Sequence, residues 1–251
     1  MTSTCNTCKY NTNSDLKKMG EKTDMFDYTI ALAGNPNTGK STVFNTLTGL
    51  RQHTGNWPGK TVTTAQGSFS FLDKKFKLVD LPGTYSLLST SEDEEVARDY
   101  ILFGKPDVTI VVVDASRLER NLNLALQILE ITDKVVLCVN LMDEAKRHNI
   151  EIDDRTLARD LGIPVVTTSA RSNEGITELL HTVHDLAIGE IKTKPHHFQD
   201  IPKKTNTAIE RLNEELIKLY PHLPNSRWIA MRLLEGDESI VKALKEGRFQ
   251  E

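Results

Sequence analysis

Long apolar runs are missing from this chain. The longest, residues 108–113 and 135–142, fall far short of the roughly 20 consecutive apolar residues that a bilayer-spanning helix requires. The basic residues Lys9, Lys17 and Lys18 are not followed by an apolar stretch, so neither a secretory signal nor an anchor is expected near the start. Cysteine is scarce as well. Three cysteines in 251 residues are too few for a disulfide framework, and Cys138, inside an apolar strand-like run, is expected to be a buried, inert thiol. Cys5 and Cys8 have the two-residue gap of a metal or redox half-site, but no second pair or nearby histidine completes four ligands. They read as incidental thiols of a polar tail, with a surface metal or regulatory thiol site as the alternative. A charge excess is missing too: 31 Lys and Arg against 35 Asp and Glu give a net charge of −4, which supplies no overall pull toward nucleic acid or an anionic membrane.

What is present is an ordinary globular composition, 38% apolar and 26% charged, in a chain long enough for one large domain and a smaller appendage. Residues 1–27 are polar, rich in Thr, Asn and Lys, and read as a flexible leader. Between 28 and 189, short β-branched runs alternate with stretches of helical periodicity, which predicts an α/β domain: a mostly parallel sheet with helices on both faces. Six strands are expected, at 28–33, 65–72, 75–80, 108–114, 134–140 and 164–168, with helices at 40–48, 92–103, 118–131, 155–161 and 176–188. Residues 67–77, two amphipathic runs joined near Asp73, predict a hairpin supplying one antiparallel edge strand. Residues 190–202 read as a linker. Residues 203–251 read as a small all-helical C-terminal subdomain, because Ile209, Leu212, Leu216 and Leu219, then Ile229, Leu233 and Leu234, recur at helix spacing around a break at Pro221 and Pro224.

The strongest motif is Gly34, Asn35, Pro36, Asn37, Thr38, Gly39, Lys40, Ser41, a full G-x-x-x-x-G-K-[ST] match after an apolar strand and before a helix. The two glycines let the backbone turn around a polyphosphate, so that main-chain amides up to Ser41 and Thr42 face anionic oxygens. Lys40 is expected to reach the β- and γ-phosphates, and the Ser41 hydroxyl to fill one vertex of a Mg²⁺ site. These features identify a P-loop NTPase.

Three further motifs follow successive strands. Asp80, with Gly83 three residues on, puts a carboxylate at a strand's C-terminal end, where it can hold Mg²⁺ while the Gly83 amide senses the γ-phosphate. Asn140, Met142 and Asp143 form a base-recognition turn, in which the Asp143 carboxylate can accept both hydrogen bonds from the N1–H and N2–H₂ edge of guanine. Ser169, Ala170 and Arg171 supply a backbone amide for the guanine O6. Each alone also reads as a surface turn; together, in this order, they specify GTP.

The set resembles the Ras-like G domains of the translation-factor-related class, in the TrmE-Era-EngA-EngB-Septin-like group, over residues 28–189. Leu141 stands where lysine is usual in that class, which implies modest GTP affinity and quick release. Two longer strings, Gly55-Asn56-Trp57-Pro58-Gly59-Lys60-Thr61-Val62 and Asp80-Leu81-Pro82-Gly83-Thr84-Tyr85-Ser86-Leu87, are similar to the FeoB family of bacterial ferrous-iron transporters. That resemblance implies that Thr61 is the switch threonine completing the Mg²⁺ shell, and that Asn37 with carbonyls at Gly55 and Trp57 holds K⁺ beside the phosphates. Thr84 stands where many G domains carry a water-orienting glutamine, so Lys40, Thr61 and Asn37 are the implied catalytic set for slow, K⁺-stimulated hydrolysis of GTP to GDP. The helical segment is implied to modulate nucleotide release. The implied partners are GTP or GDP, a C-terminal transmembrane transporter region absent from this chain, a FeoA-like small protein and further copies of the chain, with no nucleic acid. The fragment itself is expected to be soluble, at the cytoplasmic face of the bacterial inner membrane.

Plainer readings stand beside these. The acidic run Glu92, Asp93, Glu94, Glu95 suits a helix N-terminus without any part in positioning water. Arg117 and Arg120 read as exposed, and the adjacent His196 and His197 point in different directions and make no iron site. A soluble GTPase of RNA modification or ribosome assembly, and a module that holds GTP without turnover, are the competing functions.

Overall fold

The computed structural model describes residues 26–49, 52–57, 61–88, 91–196, 202–221 and 223–245. The Cys5–Cys8 pair, most of the leader, Pro58, Gly59, Lys60 and His197 lie outside the described residues. The chain separates into two compact units: Met25–Ile101 with Pro106–His197, and a helical unit that takes Leu102–Lys105 and the chain from Phe198 onward.

In chain order the larger unit carries β1 (Tyr28–Gly34), α1 (Lys40–Thr48), β2 (Gln52–Asn56), β3 (Thr63–Phe71), β4 (Lys74–Asp80), α2 (Glu92–Phe103, whose last two residues fall in the other unit), β5 (Val108–Asp114), a 3₁₀ turn at Ala115–Arg117, α3 (Leu118–Leu129), β6 (Val135–Asn140), α4 (Met142–Arg147), α5 (Asp154–Leu161), β7 (Val165–Thr167) and α6 (Ile176–Ile188). The sheet has the order β2-β3-β4-β1-β5-β6-β7. It is parallel from β4 through β1, β5 and β6 to β7, and antiparallel at β2–β3 and β3–β4.

Among the described residues seven strands stand where the sequence pattern predicts six. The extra one, β2, reads QHTGN and has no apolar alternation; its main chain pairs with β3 from Gln52↔Gly67 to Asn56↔Thr63. It also takes the edge position expected of β3, which lies between β2 and β4. The predicted hairpin is present. Phe71 pairs Lys74 across a two-residue turn in which Leu72 and Asp73 both take positive φ, 45° and 61°, the backbone whose twist matches the flanking strands.

Side chains on the buried strands alternate between two cores. On one face Ile30, Leu32, Leu78, Ile110, Val112, Val136 and Cys138 cluster with Val43, Phe44 and Leu47 of α1 and Ile176, Leu179 and Val183 of α6. Their neighbours Ala31, Ala33, Val111, Val113, Leu137 and Val139 are equally buried, and α3, which buries Leu124, Ala125, Ile128 and Leu129, packs on β1, β5 and β6. Helices on both faces leave the ligand-binding edge at the C-terminal ends of the parallel strands.

The helical unit holds α7 (Lys203–Leu219), α8 (Ser226–Leu234) and α9 (Glu238–Lys245). Ile209, Leu216, Ile229 and Ile240 are buried, and Arg227 of α8 donates to Glu210 and Asn206 of α7. Among the described residues, no helix is long and apolar enough to cross a membrane.

Candidate nucleotide-binding site

β1 runs up the middle of the sheet, between β4 and β5, and the loop after it emerges where the strand order reverses. Gly34 ends the strand with no room for a side chain: a Cβ there would lie 2.6 Å from the Val112 carbonyl oxygen. The loop then turns through two left-handed residues, Asn37 at φ 66° and Gly39 at φ 79°, with the Thr38 hydroxyl donating to the Asn35 carbonyl at 2.9 Å. Gly39 caps α1 without a side-chain hydrogen bond, and the first turn of α1 carries no acidic residue. The opening amides of that helix, at Lys40, Ser41 and Thr42, therefore face outward without an internal anion, which is the arrangement that receives a phosphate.

Asn140, at the end of β6, ties this loop to the other motifs. Its Nδ2 donates to the Thr38 carbonyl at 3.0 Å, and its Oδ1 accepts from the Ala170 amide and the Thr168 hydroxyl, both at 3.1 Å. The side chain is buried, so these bonds form away from water, where leaving any of them unmade is costly. Of the segment Ser169 to Arg171, expected to supply a main-chain amide for the guanine O6, the Ala170 amide is engaged by Asn140 in this structure. Asp80-Leu81-Pro82-Gly83-Thr84 docks against the same strand end: Leu81 donates to Leu32 O at 2.9 Å, Thr84 to Gly34 O at 3.3 Å, and Gly83 faces Pro36.

Lys40 does not stand free. Its ammonium group pairs with the Asp80 carboxylate and donates to the Leu81 carbonyl at 2.7 Å. Burial pushes the Asp80 carboxyl above its ordinary range, opposed by the charge and hydrogen bond of Lys40. Asp143, in the first turn of α4, accepts from Arg147 at 3.0 Å. Both side chains of that i,i+4 pair are well exposed, so it is worth at most about 0.5 kcal/mol and yields readily to a ligand. Leu141 precedes α4 in the left-handed conformation, at φ 63°.

The switch-loop residues make their contacts elsewhere. The Thr61 hydroxyl donates to Glu92 Oε2 of α2 at 2.7 Å, and Trp57, buried, packs edge-on against Tyr100 of α2 with ring centroids 5.3 Å apart. Among the described residues neither is hydrogen-bonded to the phosphate loop. Gly55 lies within β2, while Asn37, Ser41, Thr42 and Arg171 are exposed and Met142 is half-buried. The structure thus gathers residues 34–42, Asp80, Gly83, Asn140, Ser169 and Ala170, sets Asp143 beside them in sequence on α4, and holds Thr61 and Trp57 on α2. Glu92 and Thr168 are partners of site residues that the sequence does not reveal: an acidic run gives no sign of a threonine partner, and Thr168 is an ordinary strand-end residue by sequence. His196, of the linker pair, bonds the Asp160 carbonyl, and no cluster of His, Cys, Asp or Glu among the described residues is placed to hold a metal.

Residues 28–183 match the family described as ferrous iron transport protein B, and residues 202–251 match the FeoB cytosolic helical domain. The Fe(2+) transporter FeoB of Shigella flexneri is 41% identical over 213 residues, 83% of this chain and 27% of that relative. The chain therefore spans well under half the length of that protein. The cytosolic domain of the T. maritima FeoB iron transporter in apo form superposes with a TM-score of 0.78 at 39% identity, covering 88% of this chain and 86% of that one. Its GDP form I gives a TM-score of 0.79 at 39% identity, covering 89% and 87%.

Proposed function

Because this chain belongs to the ferrous iron transport protein B family, we propose that it is the GTP-binding, GTP-hydrolysing switch domain of a ferrous-iron membrane transporter, regulating Fe²⁺ uptake from the cytoplasmic face. The GDP form of the T. maritima relative supports guanine nucleotide as the ligand. The observation that carries the reading is the bridge made by Asn140, from the phosphate-loop carbonyl of Thr38 to the Ala170 amide, which joins the two segments that this reading assigns to the triphosphate and to the purine.

The residues fit the ligand. Uncapped amides at Lys40, Ser41 and Thr42 suit phosphate oxygens, and Asp143 suits the guanine edge once Arg147 gives way. Asp80 already balances one cation, the Lys40 ammonium, and the exposed Asn37 amide makes no hydrogen bond among the described residues. Mg²⁺ held through Ser41, Thr61 and Asp80, and K⁺ held by Asn37 with the carbonyls of Gly55 and Trp57, would supply positive charge where it develops between the β- and γ-phosphates. Nucleotide entry transfers Lys40 from Asp80 to the phosphates, and the same exchange frees the carboxylate. Thr61 leaves Glu92 to reach the γ-phosphate, so it changes partners between states. Residues 28–189 are the G domain on this reading, 190–202 a linker, and 203–251 the helical subdomain that modulates release. The transmembrane region, a FeoA-like protein and further copies of the chain are its partners.

Calorimetry with GDP and a non-hydrolysable GTP analogue in Mg²⁺ tests binding, and phosphate release in K⁺ and Na⁺ buffers tests turnover. Saturable binding, Lys40-dependent hydrolysis and faster turnover in K⁺ are expected. No heat with either nucleotide would overturn the nucleotide reading, and equal rates in both salts would remove the K⁺ site. Asp143→Asn should turn selectivity from guanine toward xanthine nucleotides.

A further inference from the structure

Beside the phosphate loop, on the side lined by its side chains, lies a recess of about 40 Å³ bounded by Asn35, Asn37, Tyr85, Asp114, Arg117 and Arg120. Asn35 is 2% exposed, and both polar atoms of its side chain are buried without a hydrogen-bond partner. A buried amide with neither its donor nor its acceptor paired calls for a guest that both donates and accepts.

The other groups give the guest its charge. Arg117 and Arg120 are exposed and are paired with no carboxylate among the described residues. The Arg120 guanidinium lies over the Tyr85 ring, 4.7 Å from its centroid, which holds its plane and leaves its N–H edge for a second partner. Asp114 also borders the recess, with its Oδ1 engaged by the amide and hydroxyl of Ser116, at 2.8 and 2.7 Å. Asn121, the remaining polar neighbour, is used within the fold, accepting from the Asp114 amide and donating to the Arg117 carbonyl. Two guanidinium groups against one engaged carboxylate leave the recess net positive. Its volume exceeds the roughly 10–15 Å³ that a single water occupies on the same measure, so there is room for a small polyatomic ion.

We propose that this recess is an oxyanion site that takes inorganic phosphate, with Arg117 and Arg120 as its cationic clamp and the Asn35 amide as its floor. Resting on the GTPase reading, the site receives the phosphate released by hydrolysis. Asn35 and Asn37 border the recess while the main chain of the same loop cradles the nucleotide, and Tyr85 belongs to the loop that begins at Asp80. The ion therefore contacts both the phosphate loop and the segment that senses the γ-phosphate, and its residence delays the return of that segment to its nucleotide-free arrangement.

The test starts from the protein saturated with GDP and Mg²⁺, so that the nucleotide's own phosphate sites are filled. Inorganic phosphate is titrated in and followed by ³¹P NMR line broadening and calorimetry, on the wild type and on Arg117→Ala/Arg120→Ala. Saturable binding of one phosphate, weakened about tenfold or more in the double variant, is expected. In single turnovers the double variant should cleave GTP at the wild-type rate but release phosphate without the wild type's lag. Glutamate, a carboxylate source, is the second titrant: binding of glutamate but not phosphate would overturn the assignment. So would an equal phosphate affinity in wild type and double variant, or no phosphate binding at all, which would leave only water in the recess. If GDP itself fails to bind, the GTPase reading falls; the phosphate titration then reports on the recess separately, through the dependence on the two arginines in the nucleotide-free chain.

Discussion

The Asn140 side chain donates to the Thr38 carbonyl at 3.0 Å across 102 residues of sequence, and this single bond joins the base-recognition turn to the phosphate loop. Alanine at 140 would leave the Thr38 carbonyl and the Ala170 amide without that partner in a buried setting. At about 1–3 kcal/mol for each orphaned group, partly relieved by entering water, Asn140→Ala is expected to lower stability by about 3 kcal/mol and Tm by roughly 5–10 °C. GDP affinity should fall with it, by at least about tenfold, since both ends of the site lose their common anchor. Thermal melts and calorimetry check this; an unchanged Tm with normal GDP binding would mean that the bridge is dispensable.

The same side chain explains the glycine at 39. Its φ of 79° already disfavours any Cβ, by about 1–2 kcal/mol, and a Cβ there would lie 2.4 Å from Asn140 Nδ2. Gly39→Ala therefore carries two penalties, and only the second depends on Asn140. In an Asn140→Ala background the overlap disappears, and Gly39→Ala should then cost less than it does alone. Urea unfolding of the four proteins of this cycle gives the coupling directly. Strict additivity would show that Gly39 is held by backbone conformation only.

Much of this framework is legible in the sequence because local patterns specify it. The helices expected at 40–48, 92–103 and 176–188 occur as α1, α2 and α6 with those bounds, each with a clear apolar face or a start signal. β2 was invisible because QHTGN has no apolar alternation and is held by main-chain pairing to β3, a non-local cause. α4 was missed because six residues after a left-handed Leu141 give too short a period to read. In the site, the residue types and their spacing stand in the motifs, but their present partners do not. Nothing local says that Lys40 rests on Asp80, that Thr61 bonds Glu92, or that Trp57 lies against Tyr100. Those pairings join segments tens of residues apart.

Cys138 offers a check on the core. It is fully buried, and burial pushes its thiol up to about 12, a rise that the hydrogen bond with the Thr168 hydroxyl only partly offsets. In a Cys5→Ser/Cys8→Ser variant, the remaining thiol should be inert to a disulfide reagent at pH 8 and react only after denaturant is added. A raised thiol pKa means that the folded state keeps its proton longer than the unfolded state does. Its effect on stability is therefore absent below the unfolded value, 9.0, and destabilises progressively as pH rises from there toward about 12. Rapid labelling of the native variant would show that β6 opens to solvent.

The pairing of Lys40 with Asp80 predicts a pH signature. Asp80 is raised mainly by burial, and Lys40 supplies both of the influences that oppose the rise. For a carboxylate raised on folding, the folded state binds the proton more tightly than the unfolded state. Stability is unaffected below the unfolded value of 3.8, then falls as pH climbs through the raised folded value, and is flat above it. Lys40→Met removes the opposing influences and drives the carboxyl higher, so the fall should extend to higher pH and deepen, by about 1–3 kcal/mol at neutrality relative to acid. Lys40→Met/Asp80→Asn has no carboxyl to titrate at this site, and its profile should lose that fall and recover stability near pH 7. Melting temperatures of the three proteins from pH 4 to pH 8 decide the matter. Parallel profiles for wild type and Lys40→Met would mean that the ammonium group exerts no hold on Asp80, and the exchange by which nucleotide frees that carboxylate would have to be abandoned.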